Sequence, residues 1–203
     1  MMNQAHAASG RGSRFAGGVL DKQRHVCAFY RSRAERAHIV SQFTREAFEC
    51  GEKASHIVQN GERERQRREL ESAGIRVDEA ERRAQLELIS WRSADERFDQ
   101  AHRVALIARL LDLGRAQGFP RTRLVADIES RPGRRPRTDE IVEFETALQL
   151  RLRGYPDAVI CTYDASCVDG RVMLDLMRTY AFVIVGGVVH ENPFFAGRSS
   201  LHG

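Results

Sequence analysis

RHVCAFYRSRAERAHIVSQFTREAFECGEKASHIV, residues 24–58, contains two short apolar runs, His25–Tyr30 and Ala54–Val58, on either side of a segment with helical periodicity. The apolar residues of that middle segment recur at helical spacing: Ile39, Val40, Phe43, Ala47 and Phe48. Gly51 follows as the residue expected just beyond a helix end. A strand, a helix and a second strand in this order predict a β-α-β unit with parallel strands and a right-handed crossover.

The turn after the first strand indicates what kind of α/β protein this is. In a nucleotide-binding protein of this layout, that turn carries glycines, whose backbone N–H groups hold phosphate, and a lysine that pairs with it. Here the turn reads Tyr30-Arg31-Ser32-Arg33-Ala34-Glu35, without a glycine or a lysine. The sequence therefore predicts the layout of an ATPase without its phosphate-binding loop, and we expect no enzymatic activity.

The remainder of the chain alternates between the same two kinds of segment. Further strands are predicted over Gln85–Trp91, Arg123–Ile128, Ala158–Tyr163 and Phe182–Val185, with a short edge strand over Val188–His190. Helices are predicted over Glu62–Ala73, Gln100–Gln117 and Gly170–Thr179, with another that begins at Thr138. Apolar strands alternating with helices predict a three-layer α/β/α sandwich around a mostly parallel sheet.

Length and composition predict one domain with short tails. Residues 1–22 are rich in Gly, Ala, Ser and Arg and lack periodicity, so we expect them to be disordered. The folded domain is expected over residues 23–197, with a C-terminal tail over 198–203. The formal net charge is +4, and residues 1–24 account for +3 of it, with four basic residues against one acidic residue. The nearly balanced body argues against direct DNA binding.

The number of cysteines and the hydropathy of the chain indicate the cellular compartment of the protein. Four scattered cysteines in 203 residues are too few for a disulfide framework. We see no signal peptide, and no apolar run approaches the roughly 20 residues that a transmembrane helix needs. These features predict a cytoplasmic protein that does not associate with membranes.

Motifs near both ends of the predicted domain also carry a resemblance to a known family. At the start stands His25-x-Cys27-x-Phe29-Tyr30, followed by Gly51-Glu52-Lys53. Toward the end stand Tyr155-Pro156, Cys161-x-Tyr163-Asp164, Val183–Gly187 and His190-Glu191-Asn192-Pro193-Phe194. In this order, across roughly residues 24–195, they resemble the MEDS domain, the DcmR-like sensory domain of bacterial and archaeal regulators. The resemblance implies a RecA/KaiC-like fold that senses small hydrocarbon-like ligands or relays signals.

The carboxyl ends of the predicted strands are where we look for a ligand site, because parallel sheets bind ligands beyond that edge. The candidate ligand-binding residues are His25, Tyr30, Trp91, Asp127, Glu129 and Tyr163. His25 is the weakest member, since five residues of extended chain place it about 17 Å from Tyr30. Two alternatives stay open: the aromatic residues pack at the sheet rim, and Asp127 accepts backbone N–H groups at the following turn.

A metal site and an anion site are two further interpretations. His25 and Cys27 share one face of a strand, and with Cys161 they offer nitrogen and sulfur ligands. Their spacing matches no known zinc motif, so we expect no metal and no cofactor. Four arginines in the loop that follows the fourth strand can bind an anion or an acidic partner, although such loops are more often simply solvated: Arg131, Arg134, Arg135 and Arg137.

These observations favour a non-catalytic sensory domain. It would bind a small organic ligand and relay the change to a partner regulatory protein, and a homodimer is compatible with the sequence. The first alternative is a degenerate or active nucleotide-binding, ATPase-like protein. The second alternative is a structural domain that only mediates protein interactions.

Overall fold

The computed structural model describes residues 13–15, 18–20, 24–91, 99–128, 138–168 and 170–196. The strands are β1 (Ser13–Phe15), β2 (Gly18–Leu20), β3 (His25–Tyr30), β4 (Lys53–Val58), β5 (Leu86–Ser90), β6 (Thr122–Asp127), β7 (Ala158–Asp164), β8 (Phe182–Val185) and β9 (Val188–Glu191). The helices are α1 (Arg33–Glu49), α2 (Arg63–Ser72), α3 (Val77–Arg82), α4 (Gln100–Ala116), α5 (Thr138–Leu152) and α6 (Gly170–Met177). Each strand and helix predicted from the sequence has a counterpart, with ends displaced by a few residues at most.

The strands from β3 onward form a seven-stranded sheet in the order β5-β4-β6-β7-β3-β8-β9. All neighbouring pairs are parallel except β8 and β9, which pair as an antiparallel hairpin. The predicted α/β fold with a mostly parallel sheet is confirmed. None of the described helices has the length and apolar character needed to cross a membrane.

Successive residues of each central strand pack into two separate cores, one on each face of the sheet. Val26 and Ala28 of β3 belong to the core that contains Ile39 of α1. Cys27 and Phe29 belong to the other core, which contains residues of α4, α5 and α6. This alternation is the period-2 geometry of a strand that is buried on both sides. Alternate residues of a strand therefore contact different helices, because their side chains point to opposite faces of the sheet.

The turn between β3 and α1 is closed by side chains of the helix itself. Ser32 caps α1, and its hydroxyl oxygen accepts a hydrogen bond from the backbone N–H of Glu35 at 3.1 Å. The Glu35 carboxylate in turn accepts from the backbone N–H of Arg31 at 2.8 Å. Both bonds satisfy donors that a helix start would otherwise leave open. An acidic side chain thus occupies a backbone donor in the turn where nucleotide-binding relatives of this layout hold phosphate.

A short hairpin of β1 and β2 corrects the expectation that residues 1–22 are disordered, at least for residues 13–15 and 18–20. Phe15 is fully buried with its ring centroid 4.8 Å from that of Phe43 on α1, and Leu20 is also buried. Gly18 lies so close to β9 that a side chain there would come within 3.2 Å of Val189. The overall composition of residues 1–22 gave no indication that Phe15 and Leu20 cover the edge of the core.

Candidate functional site

The residues predicted to form one ligand site lie on opposite faces of the sheet. Asp127 faces α1, where it meets Arg36. His25 and Tyr163 face α5, where both meet Glu145. Tyr30 is buried and follows Phe29 on β3, so it points to the face that carries Asp127 rather than the face that carries Tyr163. The predicted set is therefore not a single pocket, and its members separate into two networks.

The first network fixes Asp127 in place. Its carboxylate accepts from the Arg36 guanidinium at 3.1 Å, and Arg36 also donates to Gln66 at 2.9 Å. The Asp127 backbone carbonyl accepts from Trp91 Nε1 at 2.6 Å and from the Gln59 amide at 2.8 Å. Trp91 and Asp127 do meet, as predicted, but through backbone. For Trp91 this agrees with the alternative that the aromatic residues pack at the sheet rim. For Asp127 the alternative was a carboxylate that accepts backbone N–H groups of the following turn, whereas the carboxylate meets the side chain of Arg36.

Two basic groups around this network have lowered pKa values. Burial and the charge of Arg36 lower the pKa of His56 to about 3, and its Nε2 lies 3.0 Å from the Thr44 hydroxyl. Burial lowers the pKa of Arg103 to about 10, and its guanidinium stacks 4.5 Å above the Trp91 ring. At neutral pH His56 is therefore uncharged, and the positive charge beside Asp127 belongs to arginine.

The second network is centred on Glu145 of α5, a residue that the sequence did not single out. His25 Nε2 lies 3.2 Å from one carboxylate oxygen and 3.5 Å from the Cys161 sulfur. The Tyr163 hydroxyl donates to the other carboxylate oxygen. His25 Nδ1 lies 2.8 Å from Gln149 Oε1, one turn further along α5. Ligand atoms of His25, Glu145 and Cys161 all lie within 4.8 Å of one another.

Burial dominates the chemistry of this second network. It raises the pKa of both thiols, Cys27 and Cys161, and the negative charge of Glu145 raises them further. The same two causes raise the pKa of Tyr163, and burial raises that of Tyr180, whose ring centroid lies 4.6 Å from that of His25. The two thiols and the two phenols around Glu145 are thus held in their protonated forms.

A third feature is an apolar cavity of about 310 Å³ at the carboxyl end of β3, bounded by β8 and α6. It is lined by Phe29, Arg31, Glu35, Ala165, Met173, Met177, Val183, Val185 and Gly186. Arg31 and Val185 are exposed, so one end of the cavity reaches the surface. Its position agrees with the rule that ligands bind beyond the carboxyl edge, but none of the five predicted ligand residues that the structure describes lines it.

The cavity adjoins the Glu145 network through one pair of rings. The centroid of Phe29, in the cavity wall, lies 6.1 Å from that of Tyr163. Tyr163 then donates to Glu145. Two contacts, from Phe29 to Tyr163 and from Tyr163 to Glu145, therefore connect the cavity wall to Glu145.

Comparisons with known proteins agree with this geometry. A family model described as MEDS, the methanogen/methylotroph DcmR sensory domain, matches residues 24–180. The chain belongs to the MEDS family. No curated protein matches it. Among solved structures, a KaiC-like protein from the hyperthermophilic archaeon Pyrococcus horikoshii is similar, with 19% identity, a TM-score of 0.63, and coverage of 87% of this chain and 78% of that one. At this identity the likeness shows the fold, and the RecA/KaiC-like prediction is confirmed.

Several predicted residues of this MEDS domain lie outside the described residues. They are Glu129 of the ligand set and the four loop arginines, Arg131, Arg134, Arg135 and Arg137. The cavity residues on α6 were missed although a signal existed in the sequence. Met173 and Met177 are four apart and share one face of a helix that also carries Val172 and Leu176. Two methionines beside a buried stripe indicate adaptable packing, which suits a binding surface.

Proposed function

We propose that this MEDS domain is a non-catalytic sensor that binds a small apolar molecule in the cavity between β3, β8 and α6. The cavity itself is the observation that carries the proposal. Its volume of about 310 Å³ lies at the lower end of the range for small-molecule sites. A molecule that fills it must be small, which agrees with the hydrocarbon-like ligands that the family resemblance implies.

The lining supports an apolar ligand with at most one polar end. Phe29, Met173, Met177 and Val183 offer only hydrocarbon, aromatic and thioether surface. Arg31 brings charge at the exposed end of the cavity, where a hydroxyl or carboxylate of the ligand would remain in contact with water. Flexible methionine side chains let the cavity adapt to ligands of slightly different shape.

Relay to a partner regulator is the second part of the proposal. The ligand would touch α6 and β8. Leu174 of α6 is exposed and does not line the cavity, and Val185 of β8 is exposed at the open end of the cavity. Val188 at the start of β9 is exposed as well. A ligand that repositions α6 would change this surface, which we assign to the partner. The arginine loop, residues 131–137, is a second candidate surface if the partner is acidic.

Thermal unfolding with a panel of small probes tests the ligand site. The panel contains toluene, cyclohexanol and a series of straight-chain alcohols. A ligand that binds only the folded protein at 100 times its Kd stabilises it by about 2.7 kcal/mol. At about 2–4 °C per kcal/mol for a protein of this size, the melting temperature should rise by several degrees.

Two tryptophan substitutions on α6 locate the binding. Met173→Trp fills the cavity and should abolish the probe-dependent rise. Leu174→Trp is the matched control, because Leu174 is exposed on the same helix and does not line the cavity. Equal binding in both variants would move the site elsewhere. Failure of the whole panel to bind wild-type protein would favour the structural interaction domain.

The nucleotide-binding alternative is less well supported. The Glu35 carboxylate already accepts the backbone N–H of Arg31, and Arg36 already neutralises Asp127. A phosphate would have to displace an acid, and a magnesium ion would have to displace an arginine. A sensor requires neither exchange.

A further inference from the structure

We propose that His25, Glu145 and Cys161 form a buried zinc site that holds α5 against β3 and β7. The three residues come from three separate elements, and each is buried. The sequence offered His25, Cys27 and Cys161 as ligands and did not point to Glu145. The fold supplies this ligand from the inward face of α5.

Two of the three distances between ligand atoms are those of a tetrahedral zinc shell. With zinc bonds of about 2.0–2.1 Å to nitrogen and oxygen and about 2.3 Å to sulfur, tetrahedral angles separate N from O by about 3.3 Å, and separate sulfur from either by about 3.6 Å. The corresponding distances are 3.2 Å from His25 Nε2 to the Glu145 oxygen and 3.5 Å from Nε2 to the Cys161 sulfur. The third pair, the Glu145 carboxylate and the Cys161 sulfur, lies within 4.8 Å and would close around the ion.

The surroundings also match those of a bound metal. The Glu145 oxygen that faces His25 is buried and accepts no well-aligned hydrogen bond among the described residues, although His25 Nε2 lies 3.2 Å from it. His25 Nδ1 lies 2.8 Å from Gln149 Oε1, so an Nδ1–H donated there leaves Nε2 as a lone pair that faces the carboxylate and the thiol. Metal-binding histidines typically use their second nitrogen in this way. The Tyr163 hydroxyl likewise holds the other Glu145 oxygen.

Mixed nitrogen, oxygen and sulfur ligands favour zinc over the hard cations magnesium and calcium, which take oxygen only. Cys27 is the candidate fourth ligand. It is paired in register with Cys161 on the neighbouring strand and is buried on the same side of the sheet. Binding requires deprotonated ligands, so zinc uptake would release protons, including that of the Cys161 thiol.

Metal content and cobalt absorption test the site in the full chain. We expect stoichiometric zinc after purification, removal by a chelator with a lower melting temperature, and recovery on addition of zinc. Cobalt in place of zinc should give a thiolate-to-cobalt charge-transfer band in the near ultraviolet. Wild-type protein that retains no zinc, takes none up and melts unchanged with chelator would overturn the proposal.

Cysteine variants test whether the cobalt charge-transfer band comes from the buried thiols. The double variant Cys50→Ser/Cys167→Ser removes the two exposed cysteines and should keep the band, so its loss would also overturn the proposal. Cys161→Ser should weaken the band, and Cys27→Ser/Cys161→Ser should remove it. Gln149→Leu leaves the three ligands intact and should weaken zinc binding by roughly 10–100-fold, as expected of a residue that orients a metal-bound histidine. Unchanged affinity in Cys161→Ser would place the metal elsewhere.

Discussion

Asp127 and Glu145 are both buried carboxylates, with 4% and 0% of their surface exposed, and they lie on opposite sides of the same sheet. Asp127 faces a guanidinium that is always charged, and its backbone carbonyl is fixed by two further donors. Glu145 faces an imidazole, a phenol and a thiol, whose charges depend on protons or metal. A carboxylate beside a permanent cation is a structural element, whereas one beside titratable ligands can respond to an ion or a ligand.

The largest effect on the free energy of unfolding should come from breaking the Arg36–Asp127 pair. Arg36→Met breaks the buried pair with Asp127 and also removes the donor to Gln66, and breaking a buried pair typically costs about 3–5 kcal/mol of the free energy of unfolding. Glu145→Gln should cost less, about 1–3 kcal/mol, because it removes a charge that faces no permanent cation. Urea unfolding of the metal-free protein measures both.

Asp175→Asn serves as the control for that comparison. Asp175 forms an exposed pair with Arg178, so the substitution should change the unfolding free energy by under about 0.5 kcal/mol. An Arg36→Met variant as stable as this control would mean that the Asp127 network is not structural, and the contrast between the two carboxylates would fail.

A second prediction concerns acid stability on the Asp127 side. The pKa of His56 is lowered to about 3 in the folded protein, against 6.5 as its ordinary value. Between these values the unfolded chain binds more protons, so the stability is complete above pH 6.5 and is lost as the pH falls toward 3. Between pH 6.5 and 5 the loss should be about 2 kcal/mol.

The variants that check this prediction are His56→Gln and Arg36→Met. His56→Gln removes the titrating group, so its stability should fall less over the same interval of pH than that of wild-type protein. Arg36→Met should also flatten the profile, because the charge of Arg36 contributes to the lowered pKa of His56. Parallel profiles for all three proteins would show that His56 is not held neutral by this network.

The fold was predictable because its signals are local. The apolar runs that became β3 and β4, and the helical spacing between them, lie within 35 consecutive residues. The helix predicted to begin at Gln100 does begin there, and Asp99 caps it with a carboxylate that accepts from the backbone N–H of His102 at 3.0 Å. Propensity, periodicity and capping depend on near neighbours and can therefore be read along the chain.

The grouping of the candidate residues was not predictable in the same way. His25 and Glu145 are 120 positions apart and meet only because β7 pairs with β3 and α5 packs across both. One signal was nevertheless present. Ile141, Phe144 and Leu148 mark the inward face of α5, and Glu145 lies on that face four residues after Ile141. An acid within an apolar stripe is a group that needs a partner.

The alternation of side chains along a strand explains why Tyr30 and Tyr163, which were predicted to share one site, lie on opposite faces of the sheet. Tyr30 and Tyr163 end neighbouring strands, but Phe29, not Tyr30, is the register partner of Tyr163. Because the side-chain period of a strand is two residues, a difference of one position sends two strand-end aromatics to opposite faces. The rule that parallel strands end at one edge applies equally to both faces of the sheet, so it could not distinguish them.

The smallest expected effect is the response to nucleotide, which we predict to be absent. The turn after β3 has no glycine to expose backbone N–H groups, its Arg31 N–H is donated to Glu35, and Asp127 is paired with Arg36 instead of being available for magnesium. Titration with ATP and magnesium to millimolar concentration should show no saturable binding and no hydrolysis. Glu35→Gln should show none either, because removing the acid restores neither glycine nor lysine.

Saturable ATP binding that disappears in Arg31→Ala or Arg33→Ala would mean that arginines have replaced the usual phosphate loop. In that case the β3–α1 turn would be the responsive region, and the cavity beside it would have to be reinterpreted as part of a nucleotide site.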